Sequence, residues 1–187
     1  MRKLIIVVVL FGLLTFAFLL PKVNQKATEV SQNKKIDKLN MKIISSAFGN
    51  NAKIPPKYTC DGENINPPLS FVDVPKEIKS LALIMDDPDA PMGTFVHWVL
   101  FNINPTTKGI DDNSVPNSAV QGLNSMNKPG YIGPCPPSGS HRYFFKLYAL
   151  DSMLNLNVNA DKKGVEKTMQ GHILKEAQLI GLYNKKN

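Results

Sequence analysis

Apolar residues occur in short runs from Met41 onward, and proline, glycine or asparagine interrupts most of these runs. Runs of this length with such interruptions are typical of β-strands joined by turns. The three strongest strand candidates are residues 80–85, 95–103 and 142–150. The pattern therefore predicts a single, mainly β domain at residues 41–187.

The second of these runs, residues 95–103, is apolar on both faces apart from His97 and Asn102. Such a run is expected of a central strand in a sheet. Regular alternation places His97 on one face together with three apolar side chains, those of Phe95, Val99 and Phe101. The same alternation directs Trp98 to the opposite face, where it is predicted to be a core residue.

Polar residues also mark the start of the third run. His141 and Tyr143 are two positions apart, so their side chains are predicted to point the same way. Arg142 lies between them and points in the opposite direction, which favours a structural ion pair with a loop carboxylate. Two polar side chains on one face at the entrance of a strand indicate a site.

The C-terminal part of the chain has a helical spacing instead. Asp161 is a suitable N-cap residue, and apolar residues follow it at intervals of three and four positions. These residues are Val165, Met169, Ile173, Ala177 and Ile180. A C-terminal helix is therefore predicted from Asp161 through about Ile180, with His172 on its surface or half-buried.

The N-terminus has the pattern of an export or anchoring segment. Arg2 and Lys3 precede an uncharged apolar run at residues 4–20, whose length is at the lower limit for spanning a bilayer. Residues 1–21 are interpreted as a signal peptide or an uncleaved membrane anchor, and residues 22–40 as a polar linker. Because the positive residues are expected to stay inside, the domain is predicted to be extracytoplasmic, either membrane-anchored by residues 4–20 or secreted after cleavage.

The net charge of +7 lies mostly before the predicted domain. Residues 41–187 contain 15 basic and 13 acidic side chains, so this part is nearly neutral. A nucleic-acid-binding domain concentrates basic residues on its folded surface, so no nucleic-acid partner is expected. The basic excess in residues 22–40 suits contact with anionic membrane headgroups.

The chain contains two cysteines, Cys60 and Cys135. An even number in an exported chain permits one disulfide. Two buried thiols that act as small apolar fillers are equally compatible with the sequence. The sequence does not supply the Cα separation on which a disulfide depends, so both alternatives stay open.

Three segments carry most of the residues suited to chemistry. They are residues 86–91 (Asp-Asp-Pro-Asp-Ala-Pro), 96–98 (Val-His-Trp) and 133–143 (Gly-Pro-Cys-Pro-Pro-Ser-Gly-Ser-His-Arg-Tyr). Each adjoins the end of a predicted strand, and loops held by a rigid sheet are where binding residues collect. Because proline stiffens these loops, ordering them around a ligand costs little entropy. A preformed pocket is therefore predicted.

The order of these motifs resembles the bacterial and archaeal branch of the phosphatidylethanolamine-binding protein family, also called the Raf-kinase-inhibitor-like family. Tyr-Thr-Cys-Asp-Gly at residues 58–62 and Pro-Pro-Leu-Ser at residues 67–70 precede them and belong to the same pattern, which covers residues 41–183. The resemblance implies an antiparallel β-sandwich with small peripheral helices. It also implies a surface pocket for small anions, since family members bind phospholipid headgroups or nucleotides, and some inhibit kinases or serine proteases.

The pocket that the resemblance implies falls on eight residues, namely Asp87, Asp89, Pro91, His97, Gly133, Pro136, His141 and Tyr143. The imidazoles, the tyrosine hydroxyl and backbone N–H groups of the glycine-rich stretch can donate hydrogen bonds to an anion. The two aspartates are expected to accept a hydrogen bond from a histidine and to favour its charged form. Phosphate esters are therefore predicted to bind more tightly at pH 6 than at pH 8.

The sequence thus predicts a non-enzymatic binding module without cofactor or metal. Its ligand is a phosphate ester or a phospholipid headgroup, and regulation of an unidentified protein partner is a downstream role. A metal site is disfavoured because no short spacing of histidines preorganises one.

Two alternatives stay open. One is an extracellular protease or kinase inhibitor that acts through its surface, although the rim segments 91–97 and 137–141 are shorter than those of eukaryotic members. The other is a small hydrolase that uses Cys135 or Ser140 with His141. No Gly-x-Ser-x-Gly motif supports it, and Ser140 alternates away from its neighbour His141.

Overall fold

The computed structural model of the protein describes residues 40–185. The expectations for residues 1–21, and for all of the linker except its last residue, lie outside the described residues. Within the described range the chain forms nine strands, one α-helix and one short 3₁₀ helix at Pro56–Tyr58. The strands are β1 Lys42–Ile44, β2 Ala52–Lys53, β3 Leu69–Val72, β4 Ser80–Asp87, β5 Phe95–Ile103, β6 Gly109–Ile110, β7 Val120–Gln121, β8 Ser140–Leu150 and β9 Ile173–Asn184.

The strands form two sheets. The smaller sheet has the order β1-β3-β6, and the larger has the order β2-β9-β8-β4-β5-β7. Neighbouring strands are antiparallel except for the short β2, which pairs parallel to β9. The predicted mainly β, antiparallel sandwich is therefore confirmed, with one parallel edge pair.

The larger sheet is covered on both faces. One face packs against the smaller sheet in a cluster that includes Ile43, Phe71, Leu83 and Leu147. The other face packs against helix α1, Lys162–Met169, in a second cluster that includes Ile84, Phe101, Val165 and Met169. All eight residues of β4 are buried as a result, which explains why the predicted strand reads as a nearly continuous apolar run.

The predicted C-terminal helix is correct only over its first half. Asp161 caps α1 as expected, because its Oδ1 accepts a hydrogen bond of 2.8 Å from the backbone N–H of Gly164. The helix ends at Met169, and residues 173–184 form β9, which pairs with β8 along nearly its whole length. Gly171, at φ +81°, makes the turn between them. Long-range pairing with β8 therefore overrides the helical spacing of Ile173, Ala177 and Ile180.

His172 lies in this turn and not on a helix. Its side chain is exposed, and its Nδ1 donates a hydrogen bond of 2.8 Å to Asp151. This contact joins the start of β9 to the end of β8 at the surface, distant in sequence from the motifs of the predicted pocket.

A bulge in β5 changes the predicted orientation of His97. Met85 of β4 faces Trp98, and the next residue, Asp86, faces Val96, so His97 is an additional residue in β5. As a result Val96 and Val99, three positions apart, both pack in the cluster beneath α1. The expectation that His97 shares a face with Val99 and Phe101 is therefore wrong. Trp98 is a core residue as predicted, but it does not point opposite to His97: it packs in the cluster between the sheets.

Candidate ligand-binding site

One cavity of about 540 Å³ lies where β4, β5 and β8 meet the segment 131–137. Seven of the eight residues predicted for the pocket line it: Asp87, Pro91, His97, Gly133, Pro136, His141 and Tyr143. The structure thus brings together residues that are up to 56 positions apart in sequence. Much of the remaining wall is apolar, and it includes Met92, Phe95, Met126, Ile132 and Pro137.

Asp89 is the predicted site residue that does not line the cavity. Its carboxylate accepts hydrogen bonds of 2.9 and 2.7 Å from the guanidinium of Arg142, and a third of 3.0 Å from the backbone N–H of Arg142. The hydrogen bonds from Arg142 lower the pKa of Asp89 to about 2. The predicted structural role of Arg142 is therefore confirmed, whereas Asp89 does not contact a histidine as expected.

Asp87 and His141 form a buried pair in the cavity lining. Nδ1 of His141 donates to Oδ2 of Asp87 over 2.7 Å, and both residues are less than a tenth exposed. The other carboxylate oxygen, Oδ1, accepts from the backbone N–H of Asp89 at 2.8 Å. Because both oxygens are held, Asp87 fixes the tautomer and the orientation of the imidazole. Nε2 of His141 is then the ring nitrogen left for a ligand.

His97 is oriented in a different way. Its Nδ1 donates to the carbonyl oxygen of Ile132 over 2.7 Å, while its own carbonyl accepts from the N–H of Ile132. The imidazole lies between the rings of Phe95 and Tyr143, at centroid distances of 4.9 and 5.2 Å. Burial lowers the pKa of His97 below its ordinary value of 6.5, and this outweighs the opposite influences of the hydrogen bond to Ile132 and of the carboxylate of Asp87. The expected contact between an aspartate and a histidine is therefore made by Asp87 with His141, whereas His97 is held by a backbone carbonyl.

Tyr143 contributes a hydroxyl that has no partner in the part of the chain that the structure describes. Its ring stacks on that of His141 at 6.5 Å and 21°, which confirms that alternation directs the two side chains to one side. The hydroxyl is fully buried and forms no hydrogen bond within residues 40–185. Burial, and then the nearby carboxylate of Asp87, raise the pKa of Tyr143 well above its ordinary value, so the hydroxyl keeps its proton. Buried hydroxyls without a partner are costly, and a bound ligand is one way to satisfy them.

The segment 131–137 forms one wall of the cavity and is held against residues 58–64. Tyr131 donates its hydroxyl to the carbonyl of Tyr58, Gly133 donates its N–H to Oδ1 of Asn64, and Cys60 donates its N–H to the carbonyl of Pro134, at 2.8, 2.7 and 3.1 Å. Since Asn64 already engages the N–H of Gly133, that group does not serve as the anion donor expected from the glycine-rich stretch.

Cys60 and Cys135 are joined by a disulfide, with their Cα atoms 5.4 Å apart. This decides between the two alternatives that the sequence left open. A disulfide sulfur offers no thiolate, so Cys135 is not the nucleophile of a hydrolase. Ser140 is exposed and does not line the cavity, so it is not placed to act with His141.

Sequence reasoning missed the apolar part of the wall. Met92 and Met126 come from two different loops and stand at the cavity, fully exposed and 60% exposed respectively. Neither follows a strand period that could have placed it. The sequence signal available for Met92 was its position directly after the proline-rich segment that ends at Pro91, whereas no local sequence signal marked Met126.

Within residues 40–185, no cluster of three or more histidine, cysteine, aspartate or glutamate side chains is arranged to bind a metal. The same residues contain no helix that is long and apolar enough to cross a membrane.

A two-layer β fold in which buried histidines face one cavity is the architecture of a small β-sandwich binding protein. The family model described as phosphatidylethanolamine-binding protein matches residues 44–184, and the chain therefore belongs to this family. The resemblance inferred from the motifs is thus confirmed.

Relatives in other organisms match the same part of the chain. A UPF0098 protein of Methanothermobacter thermautotrophicus is 54% identical over 150 residues, which are 78% of this chain and 99% of the relative. A UPF0098 protein of Pyrococcus horikoshii is 49% identical over 158 residues, which are 80% of this chain and 79% of the relative.

Two solved structures share the fold. CT736 of Chlamydia trachomatis, described as a homologue of phosphatidylethanolamine-binding protein, is 42% identical with a TM-score of 0.77, over 80% of this chain and all of the other. YbcL of E. coli, described as a member of the mammalian family, is 27% identical with a TM-score of 0.73, over 78% and 99% of the two chains.

Proposed function

We propose that this protein is a non-enzymatic binding module whose cavity holds a small phosphate-bearing ligand or a phospholipid headgroup. One observation carries the proposal: the side chains of His97, His141 and Tyr143 line one cavity, and each has a polar atom, Nε2 or the hydroxyl, that no described residue engages. The cavity volume of about 540 Å³ falls in the range of small-molecule sites. Its apolar walls and few polar groups also match such sites.

The polar groups suit an anion when His141 carries both ring protons. Its Nε2–H then donates to the anion, and Asp87 balances the charge of the imidazolium from the other side of the ring. The hydroxyl of Tyr143 is a second donor, because its raised pKa keeps it protonated. The apolar wall, with Phe95 and Ile132, suits the organic part of a phosphate ester.

The substitution His141→Ala tests this proposal. We expect the affinity for phenyl phosphate to fall at least about tenfold, because a charge-assisted hydrogen bond contributes roughly 1.5–3 kcal/mol. Isothermal titration calorimetry of the purified protein measures the loss. His172→Ala removes an exposed histidine in the turn before β9 and is the matched control, for which affinity stays unchanged. Equal affinity of the unsubstituted protein and His141→Ala would contradict a role for the cavity.

A second role, regulation of a protein partner through the surface, is favoured by the exposed Met92 and Met126 at the cavity. Flexible, exposed methionines are common at surfaces that bind proteins. We propose that such a partner contacts this rim. Capture of the same partner by the unsubstituted protein and by a Met92→Glu, Met126→Glu variant would argue against it.

We also propose that residues 4–20 place the domain outside the cytoplasm, as a membrane anchor or as a cleaved signal peptide. The uncharged apolar run behind Arg2 and Lys3 supports this placement. Protection of the domain from protease added to spheroplasts would count against it.

A further inference from the structure

The two histidines of the cavity differ in the group that orients them. Both donate through Nδ1, but His97 donates to the carbonyl of Ile132 and His141 to the carboxylate of Asp87. Neither Nε2 forms a hydrogen bond with the residues that the structure describes, and both residues line the cavity. Two imidazole nitrogens therefore face the cavity. The other nitrogen of His141 bonds a charged carboxylate, whereas the other nitrogen of His97 bonds a neutral carbonyl.

The charged groups around the cavity decide which imidazole can carry a proton on Nε2. Asp86 lies near His97, but its Oδ2 is engaged by Lys146 at 2.8 Å and by Lys162 at 2.5 Å. Asp89 is engaged by Arg142. Asp87 forms no ion pair with a lysine or arginine among residues 40–185 and contacts His141 directly.

A positive charge on His141 is therefore balanced within hydrogen-bond distance, whereas among the described residues a charge on His97 has a carbonyl dipole and the rings of Phe95 and Tyr143 beside it, and no carboxylate in contact. Asp87 and Asp86 act on His97 only from a distance, and a charged His141 repels a second charge there. Burial also lowers the pKa of His97, which agrees with this geometry. His97 thus offers the lone pair of a neutral Nε2, an acceptor, while a protonated His141 offers a donor.

We propose that the cavity selects the singly protonated form of a phosphate monoester. Its unprotonated oxygens accept from Nε2–H of His141 and from the hydroxyl of Tyr143, and its P–OH group donates to Nε2 of His97. This proposal rests on the proposed binding function and adds the ligand class to it. A phosphodiester or a sulfate monoester carries the same single charge but has no hydroxyl to donate, so it leaves the acceptor on His97 without a partner. His97 is accordingly the residue that determines specificity.

Three ligands with one phenyl group test the proposal: phenyl phosphate, methyl phenyl phosphate and phenyl sulfate. Calorimetry measures their affinities for the purified protein at about pH 5.5 and about pH 7.5, on either side of the second ionisation of a phosphate monoester near 6. We expect phenyl phosphate to bind at least about tenfold more tightly than the other two at the lower pH. The ratio of the affinity for phenyl phosphate to the affinity for either other ligand should shrink by roughly 20-fold at the higher pH, because only a small fraction of the monoester keeps its proton there.

A pH effect that arises in the protein is common to all three ligands, so the ratio of their affinities isolates the contribution of the ligand's own proton. A second measurement is independent of the ratio. Calorimetric titrations at about pH 7.5 in buffers of different ionisation enthalpy give the number of protons that are taken up from the buffer when a ligand binds. Binding of phenyl phosphate should take up about one proton more than binding of methyl phenyl phosphate.

The variants assign the preference to His97. His97→Phe removes the acceptor, so the ratio between the affinities for phenyl phosphate and for phenyl sulfate should fall to about one, whatever the change in each affinity by itself. His97→Gln restores an acceptor oxygen and should keep part of the advantage, and His172→Phe is the control. If neither His97 variant folds, the three ligands on the unsubstituted protein still decide.

Similar binding of all three ligands at the lower pH, or equal proton uptake by the two phosphates, overturns the selection while leaving the binding function in place. Absence of binding by every ligand at both pH values overturns the proposed function, and the selection with it.

Discussion

Two carboxylates at the end of β4 have separate tasks although one residue, Pro88, separates them. Asp87 is buried and orients His141, while Asp89 lies closer to the surface and holds Arg142. The N–H of Asp89 also donates to Asp87, so the turn at Pro88 fixes both side chains. The motif Asp-Pro-Asp therefore supports a histidine of the cavity with its first carboxylate and holds Arg142 at the start of β8 with its second.

The substitution Asp89→Asn removes the charge that pairs with Arg142 and should lower the free energy of unfolding at pH 7 by about 1 kcal/mol. The loss is small because Arg142 is half-exposed and solvent screens the ion pair. Arg142 lowers the pKa of Asp89 from 3.8 to about 2 in the folded state. A carboxyl whose pKa is lowered on folding stabilises the folded protein at pH values above its ordinary pKa. This stabilisation is lost as the pH falls through the lower pKa of the folded state. The difference between the two proteins should therefore disappear between about pH 4 and pH 2.

Urea unfolding followed by the fluorescence of Trp98 measures this difference at each pH. Glu77→Gln, at an exposed position without an ion pair among residues 40–185, is the control and should change little. A difference for Asp89→Asn that persists unchanged at pH 2 would show that the Arg142 pair is not its cause.

At the scale of elements, the cavity depends on how closely the segment 131–137 approaches residues 58–64. A Cβ added to Gly133 would lie 2.6 Å from Oδ1 of Asn64, 2.7 Å from the carbonyl oxygen of Tyr58 and 2.8 Å from the Cα of Thr59. Two of these three atoms belong to the backbone and cannot rotate away. Gly133 is therefore needed for close packing of the wall, and not as a hydrogen-bond donor to the ligand.

Gly133→Ala should accordingly lower the free energy of unfolding by about 2 kcal/mol, because the two segments must separate to admit the methyl group. The same shift moves the wall, so phenyl phosphate should bind more weakly. Thermal unfolding and calorimetry measure the two effects. Gly49→Ala, where the nearest atom to an added Cβ is 4.0 Å away, is the matched control, and an equal effect there would contradict the packing argument.

Elements differ in how far local sequence predicts them. Strands β4, β5 and β8 were predictable within two residues, because burial on both faces leaves a long apolar run. Strand β9 was not, because its apolar residues also fit a helical period and only pairing with β8 decides between the two. The bulge at His97 has no local signature either, since it depends on how β5 registers against β4.

For the molecule as a whole, the disulfide joins residues that are 75 positions apart and closes a loop that contains β3 to β7. A crosslink over so long a loop removes conformational freedom from the unfolded chain. Both cysteines are exposed, and Cys135 also lines the cavity, so the crosslink holds one wall of the cavity at the same time.

The double substitution Cys60→Ser, Cys135→Ser should lower the free energy of unfolding by about 3 kcal/mol. Three hydrogen bonds still hold the wall against residues 58–64, so the cavity should survive at temperatures where the protein is folded. Thermal unfolding with and without dithiothreitol measures the effect: reductant should destabilise the unsubstituted protein and leave the double variant unchanged. A melting temperature that responds to neither change would exclude a stabilising crosslink.

The sequence by itself determined the β class, the three long strands, the family and seven of the residues that line the cavity, because burial patterns and motifs at strand ends are local properties. Only the tertiary structure decided that Asp89 turns to Arg142, that His97 is bound by a carbonyl and that β9 replaces half of a helix. These outcomes depend on the register between strands and on contacts across long separations. Short segments of sequence do not encode such contacts, since they form only when the whole sheet is assembled.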